Sequence, residues 1–239
     1  MPRDRAADAL RPLRFDPHPP SQAAGAVLAS MGRTCVLCTC CIEPSVPEFL
    51  MGTGKGWLTA EYNMLPGSTG TRKPRDRGGK VDGRSVEIQR LIGRALRSVV
   101  DLKQLGERTL WIDCDVLQAD GGTRTTAING AYLALVAALR KEAGLSLRSV
   151  LRDSVAAVSV GLVNGNVLLD LDYEEDRVAA VDLNLVMTGS GRFVEVQAGG
   201  EEATFAHDEL ATMLEVGKRG ILEIRAAQQA LILQQGSLD

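Results

Sequence analysis

The run Asp113-Cys114-Asp115-Val116-Leu117-Gln118-Ala119-Asp120-Gly121-Gly122-Thr123-Arg124-Thr125 puts two glycines, a hydroxyl and a guanidinium where an apolar stretch turns helical. Residues 109–117 are strand formers, whereas Ala127, Ile128, Ala131, Tyr132, Leu135, Val136 and Leu139 recur at helical spacing. The turn at 119–124 therefore lies at a helix N-terminus, whose unpaired N–H groups and partial positive charge attract anions. Gly121 and Gly122 let an anion approach the backbone, Thr123 adds a hydroxyl donor, and Arg124 adds a fork matched to phosphate oxygens. The lysine of a Walker loop is missing. Taken alone, these residues equally suit a tight turn with Thr123 or Thr125 capping the helix.

Carboxylates form a second cluster: Asp170, Asp172, Glu174, Glu175, Asp176 and Asp182. Acidic loops are mostly solvated, and that is the expectation for most of these. Asp182 differs, because it stands inside the apolar run Ala179-Ala180-Val181-Asp182-Leu183-Asn184-Leu185-Val186 and must be paired there or bind a cation. With Asp176 it makes a carboxylate pair suited to Mg²⁺ or Mn²⁺, which keep positions open for phosphate oxygens.

The third feature is basic. Residues 66–83 lose all periodicity, and between Arg72 and Arg84 six basic residues (Arg72, Lys73, Arg75, Arg77, Lys80, Arg84) outnumber two acidic ones, a local charge of +4. A long loop of this kind either grips a phosphate backbone without reading sequence or is simply solvated. Ser85 is the expected N-cap of the next helix, with Val86, Ile88, Leu91, Ile92, Ala95, Leu96, Val99 and Val100 as its buried stripe. Arg84 then sits just before the positive end of that helix, where the dipole favours acidic side chains. Arg90, Arg94 and Arg97 are expected in surface or intersubunit ion pairs. Anion donors, a cation site and a basic loop together point to phosphoryl chemistry on a polyanion.

The elements that hold these groups follow from pattern. Residues 26–29 and 34–38 read as a hairpin, and 56–65 as a further strand extending an antiparallel sheet. Residues 155–163 and 167–172 flank Asn164-Gly165, a strong hairpin signal, and strands at 179–187 and 192–197 follow. A helical region covers about 207–234. The fold class expected is α+β: mixed sheets of largely antiparallel strands with packed helices, in two similar halves. Residues 1–20 read as an arm whose Leu10-Arg11-Pro12-Leu13 docks on the body.

A chain of 239 residues can build one large or two small domains without staples. A net charge of −3 excludes a generally polybasic nucleic-acid binder, so such contact must be local. No apolar run approaches a membrane span, and the charged N-terminus lacks a secretory pattern, so a cytoplasmic protein without membrane contact is expected. Five cysteines then read as reduced thiols. Cys35 and Cys38 superficially resemble half a zinc site, but strand alternation sends them to opposite faces, and small packing residues are the better account, also for Cys40 and Cys41. His18 and His207 have no nucleophile or carboxylate pattern around them and are expected at the surface.

Several runs are composition-unusual and occur in one order: Gly56-Trp57-Leu58-Thr59-Ala60-Glu61-Tyr62, Gly83-Arg84-Ser85-Val86-Glu87-Ile88-Gln89-Arg90-Leu91-Ile92-Gly93-Arg94, the segment from Asp113 to Thr125, Asp172-Tyr173-Glu174-Glu175-Asp176, and Met187-Thr188-Gly189-Ser190-Gly191-Arg192-Phe193-Val194-Glu195-Val196-Gln197. Over nearly its whole length the chain resembles the bacterial ribonuclease PH family. The resemblance implies a single ribonuclease PH-type domain over 1–239. It implies a phosphate-dependent 3′-to-5′ exoribonuclease, a tRNA nucleotidyltransferase that trims precursor tRNA and other RNA 3′ ends with orthophosphate as co-substrate and releases nucleoside diphosphates. Arg84, Gly122, Thr123 and Arg124 match the family's phosphate-binding positions. Asp176 and Asp182 match its catalytic, metal-associated aspartates, and Arg72, Lys73, Arg75 and Arg77 fall in its RNA-binding loop. A homo-oligomer, typically a hexamer built as a trimer of dimers, is also implied. Leu65-Pro66-Gly67-Ser68 replaces the usual LPRA, and Val196-Gln197-Ala198-Gly199-Gly200-Glu201 the usual VQGTGE. The alternatives are a catalytically silent RNA-binding ring subunit, against which the retained Arg84, Thr123, Arg124, Asp176 and Asp182 weigh, and a hydrolytic nuclease that uses water.

Overall fold

Thr34, Val36, Cys38 and Cys40 alternate with Cys35, Leu37, Thr39 and Cys41, and a two-residue period of this kind buries one face of a strand. In the computed structural model, which describes residues 3–17, 22–75, 82–200 and 203–235, the first set is buried and the second half-buried. Cys35 and Cys38 accordingly face opposite ways, and Cys38 and Cys40 are packed into the core.

The described elements are β1 (Leu13–Asp16), β2 (Gly25–Met31), β3 (Thr34–Glu43), β4 (Trp57–Met64), α1 (Gly83–Arg97), α2 (Leu102–Leu105), β5 (Thr109–Gln118), α3 (Thr123–Lys141), α4 (Leu147–Val150), β6 (Val155–Val163), β7 (Asn166–Leu169), α5 (Tyr173–Arg177), β8 (Val181–Thr188), β9 (Phe193–Gly200) and α6 (His207–Gln234). One sheet has the order β1-β2-β3-β5-β4 and the other β7-β6-β8-β9. The α+β class with largely antiparallel strands is as expected, with one exception. β4 runs parallel to β5, pairing Trp57 with Thr109 and Met64 with Val116. The chain reaches β5 from β4 through α1 and α2, the long crossover that a parallel pair requires and a hairpin does not.

The arm also differs from expectation. Leu13–Asp16 is a strand paired antiparallel to β2, from Leu13 with Met31 to Asp16 with Leu28. Four residues between Pro12 and Pro17 are too short to show a period, and an edge strand tolerates flanking prolines.

α3 is the shared centre. Its residues Ala127, Ile128, Ala131, Ala134, Leu135 and Ala138 are fully buried, because the helix packs on β2 and β3 on one side and β6 on another. A Cβ added to Gly130 would lie 2.6 Å from Cys38 Sγ and 2.8 Å from Ala29 Cβ, so glycine is what lets helix and sheet approach. Buried Asn129 joins the halves: its Nδ2 donates to Ala157 O and its Oδ1 accepts from Ala157 N, both at 2.8 Å. On the second sheet α6 buries Met213, Val216, Ile221 and Ile224. No helix among the described residues is long and apolar enough to cross a membrane.

α1 starts earlier than its sequence signal. Asp82 is the N-cap, accepting from Arg84 N, so Arg84 lies inside the first turn and Ser85 is buried rather than capping. Val86, expected in the buried stripe, is 39% exposed. Arg94 makes the surface pair expected of it, with Glu195 on β9 at 2.7 Å. Arg97 does not: its Nη1 donates to Leu58 O at 2.9 Å and its guanidinium lies over the Trp57 ring, bracing α1 on β4.

Candidate active site

Gly121 and Gly122 adopt φ of 77° and 62°, two consecutive left-handed residues that turn β5 into α3. A Cβ on Gly121 would come within 2.5 Å of Leu171 O, so the turn lies directly against the backbone of the second half. Gly122 is the N-cap, and no side chain caps the helix. The threonine-cap reading is thereby corrected: Thr125 and Thr126 hydroxyls donate backwards to Gly122 O at 2.9 Å, and Thr123 Oγ1 accepts from the buried Tyr62 hydroxyl at 2.8 Å.

The turn is braced from the N-terminal arm. Arg11 N and Nε donate to Asp170 Oδ2 at 2.8 and 3.0 Å, its Nη2 donates to Asp170 Oδ1 at 2.6 Å, and its Nη1 donates to Asp120 O. Asp170 is fully buried and Arg11 is 5% exposed. From the other side Arg33 pairs with Asp120 at 3.0 Å, and this guanidinium holds the Asp120 carboxyl below its ordinary range.

The neighbouring turn of α5 is braced from the same arm. Arg3 and Arg5 both donate to Glu175 at 2.9 Å, and Glu175 closes a capping box with Asp172. The expectation that most of these carboxylates are solvated is therefore wrong for Asp170, Asp172 and Glu175. Glu174, paired with Arg177 at the surface, behaves as an acidic loop residue should. The partners of Asp170 and Glu175 come from the opposite end of the chain, where no local pattern reveals them.

Between these braces lies a cavity of about 330 Å³ lined by Arg84, Gly122, Thr123, Arg124, Ser159, Asp176, Arg177, Ala179, Asp182 and Asn184. All six residues singled out for phosphate and metal chemistry line it. Arg84 comes from the first turn of α1, Gly122 to Arg124 from the start of α3, Asp176 from α5 and Asp182 from β8. Arg124 is held by Gln197 Oε1 at 2.9 Å and Glu87 Oε1 at 3.3 Å, which stretch it across from β9 to α1. Asp182 accepts one long bond from Asn184 Nδ2 at 3.4 Å. Asp176 is an exposed residue whose carboxyl is partly desolvated by the cavity wall, which raises it above the ordinary range; the charge of Asp182 adds to this, while Arg84, Arg124 and Arg11 oppose it. Cations thus face two mutually repelling carboxylates across one cavity.

The predicted RNA-gripping residues are arranged less uniformly. Arg72 and Arg75 are exposed, whereas Lys73 is tied to the α1 cap Asp82 at 3.0 Å. Arg77 and Lys80 lie outside the described residues, as does His18; His207 is exposed at the start of α6. Sequence reasoning missed Ser159, Asn184, Arg177, Tyr62 and Arg11. Ser159 and Asn184 carried the signal that singled out Asp182, a polar residue inside an apolar strand. Tyr62 carried none, because its partner is distant in sequence; Arg11 lay in the arm segment expected to dock on the body, which it does, but its partner Asp170 was not foreseen.

Known proteins are similar to this chain in sequence and in fold. Residues 9–140 match the model of domain 1 of the 3′ exoribonuclease family, and residues 153–220 match that of domain 2. The chain is 53% identical over 236 residues to the ribonuclease PH of Rhodopirellula baltica, covering 96% of each chain, and 53% identical over 232 residues to that of Bacillus subtilis, covering 95% of each. Its fold is similar to that of rice Rrp46 (TM-score 0.78, 19% identity, 95% and 96% of the two chains). It is likewise similar to a chain of the Archaeoglobus fulgidus exosome with RNA bound to the active site (TM-score 0.77, 21% identity, 93% and 90%). The match of both family models, joined to full-length identity above half, places this chain in the 3′ exoribonuclease family, with the ribonuclease PH proteins.

Proposed function

We infer that this cavity carries out phosphate-dependent 3′-to-5′ exoribonuclease chemistry, trimming 3′ ends of precursor tRNA in the cytoplasm and releasing nucleoside diphosphates. One observation carries the assignment of roles: anion donors from the first half (Arg84, Gly122, Thr123, Arg124) converge with carboxylates from the second (Asp176, Asp182) on a single cavity. Because both halves contribute, residues 1–239 act as one unit.

Orthophosphate sits on the α3 N-terminus, held by backbone N–H groups, the Thr123 hydroxyl and the Arg124 guanidinium, with Arg84 opposite. One of its oxygens bonds to the phosphorus of the terminal phosphodiester while the bond from that phosphorus to the 3′ oxygen breaks. The shortened RNA regains its 3′ hydroxyl, taking up a proton, and the released nucleotide carries the former orthophosphate as its β-phosphate. No protein nucleophile is needed, since phosphate supplies the attacking oxygen. Asp176 and Asp182 suit a divalent cation of the Mg²⁺ or Mn²⁺ kind, which takes one or two carboxylates and completes its shell with phosphate oxygens and water. Their mutual repulsion supports this fit, and such a cation would neutralise charge on the phosphoryl oxygens. Arg84 and Arg124 orient the same oxygens from the other side.

The exposed Arg72 and Arg75, with Arg77, hold the RNA backbone, and Lys73 contributes once released from Asp82. Assembly into a hexamer, as a trimer of dimers, would bring one subunit's loop near another's cavity and raise the effective concentration of the RNA end. A silent ring subunit would not need a cavity that unites Arg84, Thr123, Arg124, Asp176 and Asp182.

Arg84→Ala tests the phosphate assignment. With orthophosphate varied at saturating RNA, its apparent KM rises about 10- to 100-fold, the value of a charged hydrogen bond, while RNA affinity in a filter-binding assay is unchanged. An unaltered phosphate KM would remove Arg84 from the phosphate subsite.

A further inference from the structure

The cavity wall contains a hydrogen bond whose direction is settled by burial. Tyr62 projects from β4 beneath the start of α3, is 2% exposed, and lies 2.8 Å from Thr123 Oγ1. Each hydroxyl has one hydrogen and two lone pairs. If Thr123 donated, the Tyr62 hydrogen would be left in the core with no acceptor, because Thr123 is the hydrogen-bond partner that Tyr62 has among the described residues. An unpaired buried donor is costly, so Tyr62 donates. Thr123 is on the cavity wall and its oxygen now holds an incoming hydrogen bond. Among the described residues no acceptor takes its own hydrogen.

We propose that Tyr62 is a positioning residue for the phosphate subsite: by donating to Thr123 Oγ1 it commits the Thr123 hydroxyl to donating its own hydrogen into the cavity, toward a phosphate oxygen. This deepens the functional reading above and rests on it. Without the tyrosine hydroxyl, Thr123 has an unfilled acceptor and a freely rotating hydrogen, and binding phosphate must first select the productive rotamer. With it, the donor is set before the ligand arrives, which lowers the ordering cost of binding. Tyr62 is suited to the task because burial raises its phenol above the ordinary range, which keeps it a donor in alkaline solution. Tyr62 is not itself one of the residues lining the cavity, and its hydrogen bond to Thr123, which is, gives it a route to the phosphate.

The test compares Tyr62→Phe, Thr123→Val, Thr123→Ser and the double variant Tyr62→Phe/Thr123→Val in steady-state phosphorolysis of a 3′-extended tRNA, with orthophosphate and RNA varied separately. Tyr62→Phe is expected to raise the KM for orthophosphate about 3- to 10-fold, the scale of one neutral hydrogen bond. The KM for RNA and the melting temperature stay near those of the parent protein, which separates positioning from a general structural role. Thr123→Val raises the phosphate KM at least as much, Thr123→Ser restores most of it, and the double variant is no worse than Thr123→Val, because Tyr62 then has no hydroxyl to orient. Independent, additive effects overturn the proposal, as does a Tyr62→Phe variant that changes both KM values alike or only lowers the melting temperature. If Tyr62→Phe leaves the phosphate KM unchanged while Thr123→Val raises it, the role of Tyr62 falls and the phosphate assignment stands. If Thr123→Val itself leaves the phosphate KM unchanged, the assignment of the helix end falls, and the proposal with it.

Discussion

Asp182→Asn lowers the rate of phosphorolysis by about 10²- to 10³-fold, the scale of losing one electrostatic contact to a transition state, while folding and RNA binding are retained. The substitution is nearly isosteric. Asp182 lies on β8, pairs in register with Gly161 and Gly199, and makes a single long side-chain contact with Asn184, so little structural support is lost. What changes is charge. Two carboxylates facing Arg84 and Arg124 become one, and the partial desolvation that already disfavours the Asp176 anion is no longer reinforced by its neighbour. A divalent cation bound by the pair would lose one of its two carboxylate ligands. Single-turnover trimming under saturating phosphate measures the effect, with a thermal melt as the control. A variant that trims at the parent rate would show that Asp182 is a strand residue with no part in the chemistry.

Asp170→Ala destabilises the protein by about 3–5 kcal/mol, the cost of breaking a buried ion pair from one side. Asp170 is fully buried and receives three bonds from Arg11, whose guanidinium also supports Asp120 O. Removing the carboxylate leaves a guanidinium in the interior with only carbonyl partners, and the arm that carries Arg3 and Arg5 loses its innermost anchor. Replacing both partners, as in Arg11→Met/Asp170→Leu, recovers part of the loss because no charge is then stranded. Urea unfolding of the three proteins gives the comparison. An Asp170→Ala midpoint equal to that of the parent would show that the arm does not brace the turn.

The two predictions mark how far the sequence could be read. Asp182, the Gly121-Gly122-Thr123-Arg124 turn and Arg84 stood out because each breaks a local rule: a charge in an apolar strand, paired glycines before a helix, a cation at a positive helix end. Asp176, inside an acidic run, breaks none and stood out only as the partner of Asp182 and through the family resemblance. The strands around Asn164-Gly165 and the long helices were legible for the opposite reason, since they obey their periods. Asp170 was misread, because a carboxylate in an acidic loop looks solvated until its partner Arg11 arrives from far away in the chain. Tyr62 was hidden in the same way: as an aromatic in an alternating strand it reads as core, and the hydrogen bond of its hydroxyl to Thr123 depends on where the start of α3 comes to lie. The parallel β4–β5 pairing and the strand in the arm depend on crossover and edge placement, which have no local signature.

Transfer of labelled phosphate tests the central claim most directly. The protein is incubated with radiolabelled orthophosphate, Mg²⁺ and an unlabelled 3′-extended tRNA, and the released nucleotides are separated. Phosphorolysis predicts nucleoside diphosphates carrying the label in the β-phosphate, absent when orthophosphate is withheld. Unlabelled nucleoside monophosphates formed without orthophosphate would contradict it and make water the nucleophile.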